Sequence, residues 1–170
     1  MAYQKLQAGK AWSVYPSNNT NIPDISVVGP TGNTDGVDAG GLLLIDSTRT
    51  GTNPSTPATL SFTLSGLKPG MIIVNSTTGK QSELVTVVNG TTLKVKDAIF
   101  AAQPAAYSIY GGTQGGAVLY IGTAGSVRVT TVAGDDVTFV GINTGAFFPV
   151  QVTKVWETGG TTASNIIALW

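Results

Sequence analysis

The chain lacks histidine and cysteine altogether and is poor in charged residues. Without cysteine it has no disulfides and no thiolate metal sites. Without histidine it lacks the commonest base for a serine or threonine nucleophile. Charged residues make up 11 % of the chain and cancel to a formal net charge of zero, whereas about 25 % is usual. These absences argue against an enzyme, and the zero net charge argues against a nucleic-acid partner.

Long apolar runs are also missing. Those present are short, such as Leu42–Ile45 and Met71–Val74, whereas a membrane-spanning helix needs about 18 or more apolar residues. The opening residues Met1–Leu6 contain no apolar signal-peptide core. We therefore expect a protein made in the cytoplasm of its host, with no membrane partner.

Small and β-prone residues are abundant instead. The chain contains 22 glycines and 24 threonines, and 42 % of its residues are apolar. That apolar share is enough to bury a sizeable core. Short β-branched runs separated by Gly, Asn and Asp are typical of an all-β sandwich or barrel.

Three pairs of β-branched runs predict hairpins. The clearest surrounds Asn89-Gly90, a dipeptide typical of a type I′ turn, in which both central residues have positive φ. The other two surround Gly122–Gly125 and Ala133–Asp136. The paired runs are Gln81–Val88 with Thr91–Lys96, Ala117–Ile121 with Val127–Val132, and Val127–Val132 with Val137–Val140.

The remaining local patterns are simpler. Phe147–Trp156 predicts a long strand in which Pro149 marks an edge or a bulge. Ile166–Trp170 predicts a last short strand, and Asp97–Ala102 a single helical turn capped by Asp97. Gly29–Gly41 has the composition of a loop.

Glycine pairs indicate how the chain is divided. Gly40-Gly41 and the linker-like run Gly111–Gly116 bracket a stretch with its own strands and hairpin. We predict a discontinuous β host domain, jelly-roll-like, formed by residues 1–41 and 111–170. Residues 42–110 are predicted to be a small inserted β module that faces outward, because insertions are tolerated at exposed loops.

Candidate chemistry is sparse. The oxygen-rich run Asn33–Asp38 suits either a calcium loop or an ordinary Asx-turn loop, and it lacks the spacing of an EF-hand. The nine carboxylates are scattered, mostly at turn positions, so nothing in the sequence pairs them for hydrolysis. We predict no enzyme activity, no metal and no cofactor.

The three tryptophans lie towards the two ends of the chain. Trp12, Trp156 and Trp170, with Phe147 and Phe148, all fall in the predicted host domain. Core packing is their default role, and stacking on sugars is the alternative, which would make the chain a carbohydrate-binding module. Trp170 closes an apolar segment, which indicates docking into its own core or into a neighbouring subunit.

The host segments resemble a family of small tailed-bacteriophage virion proteins described as head spike-base, capsid-decoration or cement proteins. The resemblance covers roughly 95 residues, at both ends of the chain. The matching runs are Tyr3–Gly9, Asn21–Pro23, Val118–Val129, Gly134–Phe139, Gly145–Val152, Thr158–Ala163 and Ile166–Trp170.

The predicted insert resembles a module found in phages of marine bacteria and cyanobacteria, from which it departs by extra residues at Thr50–Thr59. The matching runs are Leu44–Thr48, Gly70–Asn75, Val85–Val88, Thr92-Leu93, Asp97–Phe100 and Tyr107–Tyr110. Together the two resemblances imply an all-β, oligomeric virion component that decorates or cements the outer capsid surface, with no catalytic residues.

This implied role carries specific expectations. The partners would be the major capsid protein and further copies of the chain, as a trimer because capsids offer three-fold sites. A tail or spike-base component that anchors a receptor-binding fibre is the nearest rival. The residues predicted for subunit and capsid contacts are Tyr3, Lys5, Leu6, Trp12, Phe147, Phe148, Trp156, Ile166, Leu169 and Trp170.

Overall fold

The computed structural model is all-β. It describes residues 8–26, 28–36, 38–56, 58–102, 104–112 and 115–170, in which there are twelve strands, one turn of 3₁₀ helix (Phe62–Leu64) and no α-helix. The strands are β1 (Ala11–Ser13), β2 (Val28–Asn33), β3 (Leu43–Ile45), β4 (Ile72–Asn75), β5 (Lys80–Val87), β6 (Thr92–Val95), β7 (Ala106–Tyr110), β8 (Ala117–Thr123), β9 (Gly125–Thr131), β10 (Asp136–Ile142), β11 (Ala146–Val155) and β12 (Ser164–Leu169).

The chain forms two compact units. Unit 1 is Met1–Ile22 with Gln114–Trp170, and unit 2 is Pro23–Thr113. The predicted boundary after residue 41 is corrected, because β2 pairs with β7 and so belongs to the sheet of unit 2. The same pairing corrects the loop prediction for residues 29–33, whereas the described residues from 34 to 41 form no strand. Pro30 and the register shift in β2 suit its place at a sheet edge.

The sheet of unit 1 has the strand order β1-β12-β8-β11-β9-β10, and all its pairs are antiparallel. The strand β11 was predicted correctly, including a bulge after Phe148 near Pro149. It pairs with β8 along its first half and with β9 along its second. Burial alternates along β8 and β9, so that one face of each strand lines a common core.

The predicted hairpin of β8 with β9 is wrong, whereas that of β9 with β10 is confirmed. The chain does not reverse between β8 and β9, because both strands pair antiparallel with β11 and so run in the same direction. The edge of β9 that faces away from β10 is occupied by residues distant in sequence. The carbonyl of Ser126 accepts hydrogen bonds from the amides of Thr162 and Ala163. Gly125 permits this approach, because a Cβ there would lie 2.5 Å from the Ala163 nitrogen.

The sheet of unit 2 has the order β2-β7-β4-β5-β6-β3, again with antiparallel pairs. The predicted hairpin of β5 with β6 is confirmed, but its type I′ turn is wrong, since neither Asn89 nor Gly90 has positive φ. The loop is longer: the amides of Val88 and Asn89 both donate to the carbonyl of Thr92. Gly90 is instead a close-approach site, where a Cβ would lie 2.7 Å from Oγ of Ser61.

The predicted helical turn at Asp97–Ala102 is also wrong. The amide of Asp97 donates to Oγ of Ser82, and the amides of Ile99 and Phe100 donate to the carbonyl of Gly41. These long-range bonds hold the segment in an irregular conformation with no helical turn. They bury Ile99 and Phe100 in the unit 2 core, which outweighs the weak local signal for a cap.

In the part of the chain that the structure describes, no helix is long and apolar enough to cross a membrane.

Candidate functional site: an uncharged outer face on unit 1

Across β1, β12, β8 and the start of β11, the side of the unit 1 sheet that points away from the core carries mainly apolar side chains. Register places Ser13, Ile167, Tyr120 and Phe147 directly opposite one another across β1, β12, β8 and β11. Two residues further along the strands, Ala11, Leu169 and Val118 form a second row on the same side, because side chains alternate with period two. These seven residues are called the outer face.

The outer face is accessible and carries no charge. Phe147 is 71 % exposed and meets Tyr120 edge-on, with ring centroids 5.5 Å apart. Tyr120, Ile167, Leu169 and Val118 are half-buried. A cluster of accessible apolar side chains across four strands is typical of a protein-binding surface.

The sequence contains a signal for this face. The run Ala117–Ile121 is apolar at every position, whereas a strand with one solvated face alternates apolar with polar residues. The inward residues of this run are Ala117, Leu119 and Ile121, all buried in the core. The outward Val118 and Tyr120 are therefore in excess of what the core needs.

The residues predicted for contacts are distributed between the two sides of the sheet. Phe147 and Leu169 lie on the outer face, whereas Phe148 and Ile166 are buried in the core. The structure thus corrects the place of Phe148 and Ile166 among the contact residues, because alternation turns them inward. The predicted contacts Tyr3, Lys5 and Leu6 lie outside the described residues.

The predicted contacts Trp12 and Trp170 pack against the core of unit 1 from the sheet edge. Trp12 meets Tyr15 edge-on at 5.3 Å between ring centroids. The amide of Trp170 donates to the carbonyl of Lys10, and its carbonyl accepts from the amides of Gly9 and Lys10. Of the two alternatives for the C-terminal segment, the structure therefore has it docked on its own unit.

Trp156, the remaining predicted contact, carries two cations on its ring. The guanidinium carbon of Arg128 is 4.2 Å and Nζ of Lys154 is 3.8 Å from the ring centroid. Its indole Nε1 donates to Oγ1 of Thr130 at 3.0 Å. Thr130 in turn donates to Asp136, and this hydrogen bond is the main cause that lowers the pKa of Asp136. A ring that already carries two cations is a poor platform for a sugar.

The carboxylates of the Asn33–Asp38 loop accept hydrogen bonds from nearby backbone amides. Asp38 accepts from the amides of Gly40, Leu42 and Leu43, the last of which is the main cause that lowers the pKa of Asp38. Asp35 accepts from the amide and hydroxyl of Ser47, and its pKa is lowered chiefly by that hydroxyl. These contacts have the form of an Asx-turn loop. Within the described ranges, no three metal-ligating side chains of the His, Cys, Asp or Glu types are grouped.

Unit 2 contains a buried polar cluster that the sequence analysis missed. Asp46, Arg49 and Tyr107 are each 1–2 % exposed. Nε of Arg49 donates to Oδ2 of Asp46 at 3.1 Å and to the hydroxyl of Tyr107 at 3.0 Å. The hydroxyl of Tyr107 donates to the same Oδ2 at 2.6 Å.

Backbone groups complete the cluster. Nη2 of Arg49 donates to the carbonyl of Thr31 on the edge strand β2, and the other carboxylate oxygen of Asp46 accepts from Thr48. Gly32 permits the close approach, because a Cβ there would lie 2.7 Å from Oδ2 of Asp46. The sequence signal was the Asp-x-x-Arg spacing, but only the pairing of β2 with β7 shows that the pair is buried.

The role of this cluster is structural. Burial raises the pKa of Tyr107, and its hydrogen bond to Asp46 raises it further, against the opposing effect of Arg49. The phenol therefore stays protonated and donates to Asp46. Because all three side chains are buried and bonded to one another, the cluster offers no accessible acid or base to a substrate.

Comparisons with known proteins do not assign the chain to a family. Neither protein-family models, nor curated protein sequences, nor solved structures contain a match to this chain.

Proposed function

We propose that this chain is a bacteriophage virion structural protein that decorates or cements the outer capsid surface by non-covalent contacts. The observation that supports it most is the uncharged outer face of unit 1, centred on Phe147, which is 71 % exposed. A surface of this kind suits binding to another protein. The resemblance to phage decoration proteins supplies the identity of the partner, the major capsid protein.

The proposed role needs no catalytic group. A decoration protein occupies many equivalent sites on a lattice, so modest contacts are multiplied by the number of copies. A chain with 11 % charged residues and no net charge suits apolar contacts of this kind. We propose that the chain acts as a homo-oligomer on the virion surface, and that three-fold capsid sites favour a trimer.

The proposal is tested by the copy number in purified virions, measured by quantitative mass spectrometry relative to the major capsid protein. A near-stoichiometric ratio supports decoration or cementing. A ratio of one or two per hundred, about that of a tail or spike base, replaces the proposal with the rival that anchors a fibre. Complete absence from particles contradicts both.

A substitution at the centre of the outer face tests the surface itself. We expect Phe147→Ser to weaken binding of the purified chain to undecorated capsids by at least about tenfold, since truncating an interface aromatic often costs 2 kcal/mol or more. Because Phe147 is exposed, thermal stability should change little. The matched control is Leu64→Ser, an exposed apolar residue of unit 2 at 54 % exposure, which should bind normally. Equal binding by all three proteins would contradict the assignment of this face.

The sugar-binding alternative rests on the three tryptophans. Trp12 and Trp170 pack on the core, and Trp156 carries Arg128 and Lys154. The alternative would return if the isolated protein bound glycans on an array and lost that binding in a Trp156→Ala variant.

A further inference from the structure

The two sheets have four edge strands among the described residues, and only one edge is both long and unprotected. The strands β1 and β3 have three residues each, and β2 carries Pro30 and a register shift. Short edges, prolines and bulges are the usual devices that prevent a sheet edge from pairing with another chain. The fourth edge, β10, has seven residues with no proline, lysine or arginine.

The free edge of β10 presents backbone groups that point away from β9. The amide of Thr131 donates to the carbonyl of Asp135 where the hairpin begins. Because an antiparallel ladder alternates, Val137 and Phe139 then exchange hydrogen bonds with β9, and Thr138 directs its amide and carbonyl outwards. Val137 and Val140 beside this edge are exposed, Val140 to 81 %.

The backbone groups along the free edge of β10 determine which kind of partner can pair with it. A row of strand amides and carbonyls is matched by another extended strand. The single charged residue of β10 is Asp136, at its first position. When two β10 strands pair antiparallel about Thr138, position 136 of one lies opposite position 140 of the other, so each Asp136 faces Val140 rather than another carboxylate. Threonine faces threonine at the centre, which is a favourable cross-strand pair.

We propose that β10 is a self-association site, at which β10 of a second copy pairs antiparallel about Thr138 and joins two unit 1 sheets. The register shift between Phe139 and Ile142 confines the new ladder to the first five residues of the strand. The zero net charge of the chain means that two copies approach without long-range repulsion. This inference concerns the purified chain alone and does not depend on the capsid role.

The test is the oligomeric state of the wild type and of charge variants at position 140, measured by sedimentation velocity over a concentration series. We expect the wild type to associate. Val140→Asp places a carboxylate opposite Asp136 of the second copy at two symmetry-related positions, and should raise the dissociation constant at least tenfold. Val140→Lys places a cation there and should associate as well as the wild type or better. Val88→Asp, an exposed valine of unit 2 at 53 % exposure, is the matched control and should leave the constant unchanged.

A backbone variant tests the hydrogen bonds directly. Thr138→Pro removes an amide that points away from β9, so the fold should survive while association weakens. Circular dichroism verifies that the variant is folded, and amide exchange at Thr138 in the wild type should slow as concentration rises. If the proline variant fails to fold, the exchange measurement on the wild type still tests the contact.

The outcomes separate the two proposals. A wild type that stays monomeric at all concentrations, or one whose association is indifferent to Val140→Asp, overturns the β10 contact. Equal weakening by Val140→Asp and Val140→Lys overturns the register about Thr138. A dimer with the expected pattern supports the contact in the purified chain. The capsid role is still decided by copy number.

Discussion

The cores of the two units differ in the number of polar side chains that they bury. Among the described residues, unit 1 buries only two polar side chains, Ser17 and Thr20. Unit 2 buries eight: Thr34, Asp46, Arg49, Ser61, Asn75, Gln81, Ser82 and Thr92.

Several buried polar groups of unit 2 bond to one another or to the backbone of loops and edge strands. Asn75, for example, donates from Nδ2 to the carbonyl of Ile99 at 2.6 Å. Such bonds fix loop backbone, as at Ile99, and connect the edge strand β2 to the core. In unit 1 most of the comparable bonds are exposed or part-buried, such as that from the amide of Ser126 to Oγ1 of Thr162, and this unit carries the uncharged outer face and the open β10 edge. The difference indicates that unit 2 is specified internally by polar contacts, whereas unit 1 has surface suited to other chains.

The largest expected effect that tests this comparison is the loss of Arg49. We expect Arg49→Met to destabilise unit 2 by about 3–5 kcal/mol, because it leaves Asp46 charged and buried without its partner. Amide exchange at Ile73 and Leu93 should accelerate, while exchange at Leu119 and Val129 in unit 1 should not.

A matched variant distinguishes burial from charge. Lys96→Met breaks the exposed pair of Lys96 with Glu83, whose atoms are 3.2 Å apart, and should cost about 0–1 kcal/mol. Adding Asp46→Asn to Arg49→Met should recover part of the loss. If Arg49→Met and Lys96→Met cost the same, the buried cluster is not what holds unit 2 together.

A smaller effect should follow from a single methyl group in unit 1. Gly125→Ala would place a Cβ 2.5 Å from the Ala163 nitrogen, and we expect it to destabilise unit 1 by about 1–3 kcal/mol through overpacking. Chemical denaturation followed by tryptophan fluorescence reports on this unit, since all three tryptophans belong to it. Gly115→Ala is the control, because a Cβ there meets nothing within 4 Å. Equal stability of the two variants would contradict the close packing of the chain at the β8–β9 corner.

The smallest effect is a pH dependence present in both units. Hydrogen bonds lower the pKa of Asp38 in unit 2 and of Asp136 in unit 1 below the ordinary value of 3.8. A lowered pKa contributes stability that is fully present above the unfolded value and is lost as the pH falls through the folded value. We expect Asp38→Asn to be less stable than the wild type at neutral pH, with the difference vanishing as both are acidified below the folded pKa.

Asp136→Asn should behave in the same way in unit 1. Thermal melts across the acid range measure both variants. A difference from the wild type that stays constant throughout the acid range would show that these carboxylates do not act through their charge.

How well the strands can be predicted from the sequence also differs between unit 1 and unit 2. Alternating β-branched runs predicted β9, β10, β11 and β12, because a half-buried strand imposes period two on its own residues. The pairing of β8 and β9 was mispredicted, since proximity in sequence favours a hairpin, whereas the edge of β9 was taken by residues distant in sequence. In unit 2, β2 was missed because its residues, Val-Gly-Pro-Thr-Gly-Asn, have turn composition and are strand only through pairing with β7.

The candidate site was predictable in part for the same reason. Phe147 and Leu169 were predicted as contacts and lie on the outer face, but the neighbouring Phe148 and Ile166 lie in the core. Assigning adjacent residues to opposite faces requires the register of the strand, and the sequence alone left that register open around the bulge at Pro149. The Asp46–Arg49–Tyr107 cluster could not be predicted, because its third member is 58 residues from Arg49.

Both surfaces that we propose for association lie on unit 1. Hydrogen–deuterium exchange of the purified chain, compared between dilute and concentrated protein and with capsids added, tests this placement. We expect protection to increase with concentration at Thr138, to increase beside Phe147 when undecorated capsids are added, and to stay unchanged in unit 2. Protection that increases in unit 2 alone, or nowhere, would contradict this placement.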